Sequence, residues 1–393
     1  MSIVFIPMKN LYMNDLTLVP FQIDAPELSA RLASAVRQKT PKIAVVGDFC
    51  LDKYLYVYPE LDEISVETGM TAFQVRAKRS FAGVGGTITN NLRALGAETY
   101  CFGVVGEDGE GFELLKALKK TGANVDGMIV SDEIITSSYV KPMRPSGPTK
   151  KGSLQQPSEG EWSEGNRIDL RNPTPVPLHL IERLKQALLA SIVTFDAVVI
   201  SDQFPSGSEV VFSDDLHKFL ANAAKDNPNV FFLCDSRFFV NEYRHALVKC
   251  NASELFDAYD VANGAKDKRE KTLGPELEAR ESELCRVGKW MAKRNKQPVL
   301  VTRGALGSIL IEPKDNDNVA AAAIPAVTVK PPIDICGAGD ATNAGFAYAK
   351  SLGFSLVESA FLAGVVSSIT IKQIGVTGTA SIEQILNVLK QMN

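Results

Sequence analysis

Four short apolar runs constrain this chain more than any other feature: "KIAVVG" at 42–47, "DAVVIS" at 196–201, "VFFLCDS" at 230–236 and "PVLVTRG" at 298–304. Each is too short for a buried helix, is rich in Val, Ile, Leu and Phe, and closes on glycine or a polar residue, which is the pattern of a strand buried on both faces. Helical stretches lie between them. "TNNLRALGA" stops at Gly96, and "TYCFGVVGEDGEGFELLKALKKTGA" reads as strand, acidic Gly-rich loop, helix and glycine stop. Strand–helix alternation over most of 393 residues predicts an α/β fold with a doubly wound, mainly parallel sheet flanked by helices.

Ligands of such sheets lie beyond the carboxyl ends of the strands. Polar residues gather there: Asp48 and Asp52, Ser201 and Asp202, Asp235 to Arg237, and Thr302 to Gly304. A cleft is expected on that edge. "TAFQVRAKRSFAG" alternates as a strand outside the main sheet, and residues 144–177, rich in Pro, Gly, Ser and charge, read as a long loop or strand-bearing insertion. Residues 1–40 read as an N-terminal extension ending in the helix "APELSARLASAVRQ", with no basic, apolar and small-residue pattern of an export signal.

Charge and cysteine usage exclude several classes. A net charge of −4 offers no electrostatic basis for nucleic-acid binding, and no apolar run reaches the ~18 residues of a membrane span. Six cysteines at 50, 101, 234, 250, 285 and 336 form no CxxC pair, so reduced thiols in a cytoplasm are expected.

The chemistry concentrates in "DICGAGDATNAGF" at 334–346, where glycines precede a helix. A helix N-terminus presents unpaired N–H groups and partial positive charge, and glycines let its backbone approach an anion. "GAGD" at 337–340 is thus suited to cradle a phosphoryl group, with Asp340 taking the proton of an attacking hydroxyl. The same residues equally suit a tightly packed helix start with an aspartate near its cap. No GxxxxGK[ST] loop occurs, and "GAGDATNAG" does not fit the GxGxxG dinucleotide fingerprint, which disfavours an NAD(P)-dependent oxidoreductase.

This stretch resembles the C-terminal signature of the ribokinase-like (PfkB) carbohydrate kinase family. The resemblance continues in order through "AGVGGTITNNLRALGA" (82–97), "GVVGEDGEGFELLKALKKTGANVDG" (103–127), "NASE" (251–254) and "TRGALG" (302–307). "VVGDFCLDKYLYV" and "DAVVISD…LCDSR…VKCNASE" look most like bacterial D-glycero-D-manno-heptose 7-phosphate kinases. The resemblance implies a ribokinase-like domain over 41–393. It also implies a small β-sheet lid from about 57–80 and 134–170, and transfer of a phosphoryl group from ATP to a sugar or sugar phosphate.

It further implies site residues. Asp340 would be the base, and Gly337, Ala338 and Gly339 the anion hole. Asp52 would bind sugar hydroxyls, with Gly83, Gly85, Gly86 and Thr87 beside it. Lys141, Arg144, Arg237 and Lys249 would be candidates to recognise a phosphate already on the substrate. Asn251 and Glu254 would hold Mg²⁺ through water, although N-x-x-E is also a common helix cap. Thr302, Gly304 and Gly307 would line the nucleotide, or form an ordinary strand-end loop. Asp334 would sit beside a monovalent cation such as K⁺. Members often dimerise through the lid, so a homodimer is an expectation of the resemblance alone. The chain closes soon after the signature, so no appended nucleotidyltransferase domain is expected.

Two departures bear on the acceptor. Val84 stands at a usual glycine and Thr87 at a usual sugar-binding asparagine, while Ile335 and Cys336 replace the more usual hydroxyl residues before "GAGD". The catalytic end is intact and the sugar end altered. That leaves open a nucleoside kinase, or a nucleotide- and sugar-binding protein that has lost the chemistry.

Overall fold

The computed structural model describes residues 11–13, 16–146, 162–172, 174–204, 214–264, 280–314 and 318–392. The expected strands Lys42–Gly47, Ala197–Asp202, Phe231–Ser236 and Val299–Thr302 lie in one sheet, of eleven strands among the described residues. Leu247–Asn251 joins them, and from Asn124–Ser131 through to Val299–Thr302 the pairing is parallel. Ser308–Pro313 and Val319–Ile324 continue the sheet antiparallel.

Period-2 alternation splits the core between the two faces. Ile43, Val45, Val199, Leu233 and Leu247 face one way, toward the helices Gly85–Leu95, Ala338–Ser351 and Leu356–Thr370. Ala44, Val46, Val198, Ile200, Cys234 and Val248 face the other, toward Leu178–Leu189, Asp214–Asp226 and Glu281–Asn295. The same parity fixes the strand ends. Asp235 follows Leu233, and Lys249 follows Leu247, onto the face that packs the Ala338–Ser351 helix.

The segment expected as an N-terminal extension is built into this layer from Leu16 onward. Leu16–Pro20 pairs parallel with Val319–Ile324, in register at Leu18 and Ala321, and so covers an edge that would otherwise present unpaired backbone groups. The Ala25–Gln38 helix matches its expected bounds. Asp24 caps it by accepting from Glu27 N at 2.9 Å, and it buries Leu28 and Leu32 in the same core as Ile43.

A second sheet is ordered Trp162–Glu164, Ser138–Pro145, Phe49–Val57, Val75–Val84, with Ile168–Leu170 also pairing Ser138–Pro145. Tyr54, Tyr56 and Tyr58 form its small core with Phe81, Met143 and Trp162. Its strands Ser138–Pro145, Trp162–Glu164 and Ile168–Leu170 fall within the expected 134–170 segment, whereas its other two strands reach beyond the expected 57–80 segment at both ends. Those two strands begin at Phe49, two residues after the buried strand Lys42–Gly47 ends, and finish at Val84. Asp52 therefore lies in the middle of a strand and not in a loop. The apolar run closes at Gly47, and the polar residues after it read as a strand end, which hides the second strand starting at Phe49. Part of the 144–177 segment, residues 147–161 and 173, lies outside the described residues.

Candidate active site

The helix Ala338–Ser351 starts from Gly337, whose φ is +76°, a conformation that favours glycine. A Cβ there would also meet Thr87 Cγ2 at 3.2 Å and Thr377 Cγ2 at 3.3 Å. The loop before it is braced by Asp334. One carboxylate oxygen accepts from Cys336 N at 2.9 Å and the other from Gly375 N at 3.0 Å. Ala338 N donates to Ile335 O at 3.1 Å. The following N–H groups, of Gly339 and Asp340, belong to the first turn, which an α-helix leaves without internal acceptors.

Asp340 is half-buried on that first turn. Burial raises its carboxyl pKa from the ordinary range to about 7; the charge of Asp235 adds to this, Lys249 and Arg237 oppose it, and Asp52 adds a smaller push. A carboxyl poised near neutrality and ringed by two cations suits a base that takes a proton as charge moves onto a phosphoryl group.

Lys249 and Asp235 lie under this turn. They are register partners on adjacent parallel strands, and Lys249 Nζ donates to Asp235 Oδ2 at 2.7 Å. Asn343, one turn beyond Asp340 and fully buried, donates from Nδ2 to the same oxygen at 2.5 Å. A Cβ on Gly339 would stand 3.1 Å from Lys249 Nζ, so the ammonium lies directly against the glycine loop. Burial alone would lower the pKa of Lys249. The charge of Asp235, then Glu254 and Asp340, reverses this and holds it above the ordinary lysine range.

Asn251 and Glu254 follow at the start of the Ala252–Ala262 helix and form a reciprocal cap. Asn251 Oδ1 accepts from Glu254 N at 2.9 Å, and Glu254 Oε2 accepts from Asn251 N at 2.8 Å. The helix-cap reading of N-x-x-E is thus realised. The Glu254 carboxyl is nonetheless displaced to about 7 by burial, against the pull of Lys249. Asn251 is the register partner of Thr302 on the next strand. The Thr302–Gly307 turn is tight: Gly304 and Gly307 have φ of +52° and +82°, and buried Arg303 bonds Glu281 at 2.7 Å and Leu306 O at 2.9 Å.

On the lid side, Asp52 is held by Lys141, whose Nζ lies 3.4 Å from Oδ1 and 3.1 Å from Tyr54 Oη. Burial raises the pKa of Asp52, and Lys141 limits the rise. Gly83 is the register neighbour of Cys50, and a Cβ there would come 2.4 Å from Asp52 Oδ2. At Gly85 a Cβ would meet Asp48 O at 2.8 Å, and at Gly86 it would meet the Ala82 Cβ at 2.4 Å. These glycines are therefore required by close packing, Gly83 against Asp52, Gly85 against Asp48 and Gly86 against Ala82, whatever binds above them. Thr87 is buried, with its methyl against Gly337. Val84 occupies φ +57°, where a β-branched residue is strained.

Of the four cations expected to read a substrate phosphate, the structure separates two pairs. Lys141 is engaged by Asp52 and Tyr54, and Arg144 lies 4.7 Å over the Phe73 ring on the lid. Arg237 and Lys249 instead act on Asp340 and Glu254. Burial raises the pKa of the Cys336 thiol, Lys141 opposes this, and Asp334, Asp52 and Asp340 add to it. Asp235 was expected only as one of the polar residues at the strand ends, and Asn343 carried no expected role. Their signals were the apolar–polar alternation from Leu233 and the three-residue step from Asp340. A separate cavity of about 430 Å³, lined by Lys39, Lys225, His245 and Lys350 among others, shares no residue with this cluster.

Comparison with known proteins agrees with the fold. The chain is 28% identical to the bifunctional protein HldE of Sulfurimonas denitrificans over 88% of its own length and 64% of that relative, and so spans less than two thirds of it. The HldE of Nitratiruptor sp. is 26% identical over 88% of this chain and 64% of that protein. Phosphofructokinase-2 from Escherichia coli, solved in complex with potassium, superposes with a TM-score of 0.65 at 15% identity, covering 90% of this chain and 99% of that one. Arabidopsis thaliana ribokinase, complexed with ribose and ATP, gives 0.57 at 20% identity, covering 90% and 99%. These likenesses show a ribokinase-like fold. The profile of the pfkB family carbohydrate kinases matches residues 40–145 and 180–383, so the chain belongs to that family of sugar kinases, phosphotransferases acting on alcohol groups.

Proposed function

We propose that this chain transfers the γ-phosphoryl group of ATP to a hydroxyl of a sugar phosphate, with a heptose 7-phosphate-like acceptor favoured. The observation that carries this reading is Asp340. Its carboxyl, raised by burial to about 7, stands on the first turn of a glycine-led helix and feels the charges of Asp235, Lys249, Arg237 and Asp52. Asp52, with Lys141 fixing its orientation, accepts hydroxyl protons of the acceptor. Asp340 takes the proton of the attacking hydroxyl. The N–H groups of Gly339 and Asp340, with Gly337 and Ala338 shaping the turn, bind the phosphoryl oxygens, and Lys249 and Arg237 compensate the charge that builds there.

Thr302, Gly304 and Gly307 line the nucleotide beside Asn251. Glu254 keeps one carboxylate oxygen outside its helix cap, which fits a water-mediated contact to Mg²⁺. Bound Mg²⁺ neutralises phosphate charge. Asp334 would hold K⁺; that each of its oxygens accepts one N–H and retains a lone pair supports this reading. The six described cysteines are free and five are buried, which suits a reducing cytoplasm. The exposed lid residues Ile64, Val66 and Met70 offer apolar surface for a homodimer. The heptose preference is supported by the HldE relatives and by the matching "GDFCLDKY" and "NASE" segments.

A second reading, a binding protein without turnover, draws on strained Val84 and buried Thr87 at the sugar side. Coupled ADP release with MgATP and K⁺ separates the two. Acceptors would be D-glycero-D-manno-heptose 7-phosphate, the unphosphorylated heptose, fructose 6-phosphate, ribose and adenosine. Turnover greatest on the heptose 7-phosphate supports the proposal. Nucleotide binding with no turnover on any of the five favours the second reading.

A further inference from the structure

Asp235 joins two groups from different elements at one carboxylate oxygen: Lys249 Nζ from the neighbouring strand and Asn343 Nδ2 from the helix that carries Asp340. All three side chains are buried. Lysine has three N–H donors, and Asp235 takes one; the other two have no acceptor among the described residues. The ammonium lies against Gly339, and a buried cation so placed faces whatever anion the glycine loop binds. Among the described residues Asn343 Oδ1 meets no donor, and its Nδ2 bonds Asp235.

We propose that Asp235 is a positioning residue. By accepting from both Lys249 and Asn343, it locks the lysine ammonium to the catalytic helix and holds it under Gly339, where the γ-phosphoryl group lies. The inference rests on the kinase reading for the identity of that anion. It adds that Lys249 follows the moving phosphoryl and does not read a phosphate of the acceptor, and that Asp235 keeps it there. Because Asp235 and Lys249 act on Asp340 with opposite sign, the pair also sets the protonation of the base.

Two acceptor-independent measurements test this. The first is titration of the Asp340 carboxyl by NMR on protein carrying ¹³C-carboxyl aspartate, assigned with Asp340→Asn. In Asp235→Asn the midpoint falls, because a negative neighbour is lost and Lys249 is released toward Asp340. In Lys249→Met it rises, because Asp235 is left unopposed. The opposed shifts are the signature, and loss of packing alone does not produce them. The second is calorimetric binding of MgATP and MgADP. Asp235→Asn weakens MgATP by about tenfold and MgADP by less than about twofold, since one phosphoryl group separates the ligands.

Unmoved or same-direction titrations, or equal losses for both nucleotides, overturn the proposal. If Asp235→Asn does not fold, Lys249→Met alone still decides through the sign of its shift. A wild-type protein that binds no MgATP at all would instead sink the kinase reading, leaving the titration result standing by itself.

Discussion

Gly83 and Asp52 are matched across the lid: a Cβ on Gly83 would stand 2.4 Å from Asp52 Oδ2, so the carboxylate occupies the space that the missing side chain leaves. Gly83→Ala forces Asp52 away from Lys141 and out of its place above the cleft. The expected result is a rise of about tenfold or more in KM for the acceptor, with KM for MgATP changed by less than about twofold. Steady-state kinetics with each substrate varied in turn checks it. Equal effects on both would mean that Asp52 is not on the acceptor side.

Val84 is a β-branched residue held at φ +57°. Strain of this kind costs about 1–3 kcal/mol, while glycine at the same position adds about 0.5–1 kcal/mol of unfolded-state entropy. Val84→Gly should therefore stabilise the protein by about 1 kcal/mol in urea unfolding. A neutral or destabilised variant would show that packing of the valine side chain outweighs its backbone strain.

Asp48 is fully buried, and burial, with the charge of Asp202, raises its pKa to about 8. Gln203 N and Phe204 N donate to its Oδ2 at 2.8 and 2.9 Å. The folded protein keeps this proton up to about pH 8, whereas the unfolded chain releases it near 4. Stability from this site is therefore present at low pH and declines as pH rises between those values. Asp48→Asn keeps an acceptor for both N–H groups and removes the titration. Its stability relative to wild type should climb from pH 5 to pH 8 in thermal unfolding; a constant difference would contradict the assignment.

Asp340 gives the reaction its own pH dependence. A base with a pKa of about 7 is mostly protonated at pH 6 and mostly ionised at pH 8. The acid limb of kcat/KM should thus fall near pH 7, well above the ordinary carboxyl range near 4. Rates of ADP release between pH 5.5 and 9 locate it. A limb below pH 5 would mean that a group other than Asp340 limits the acid side.

The strands of the main sheet were legible because burial on both faces leaves long apolar runs, and their polar ends marked the cleft. The lid was legible only in outline. Its first strand, Phe49–Val57, starts two residues after the buried strand Lys42–Gly47, and its Asp52 reads as part of the polar strand end. Asp340 and its glycines stood out because four special residues occur together. Asp235 and Asn343 did not, since each is an ordinary polar residue whose meaning arises when a strand end and a helix face meet. The glycines at 83, 85 and 86 were visible, but the atoms that fill their missing side chains come from Asp52, Asp48 and Ala82. Sequence spacing carries no trace of the Asp52 and Asp48 contacts, which cross between elements.

The central claim is that Asp340 is the base of a phosphoryl transfer. The most direct measurement is acceptor-dependent ADP release by wild type and Asp340→Asn, beside MgATP affinity for both. Wild type should turn over, and the variant should lose about a thousandfold or more in kcat while binding MgATP within a few-fold of wild type. A variant that retains turnover within tenfold of wild type would contradict the account.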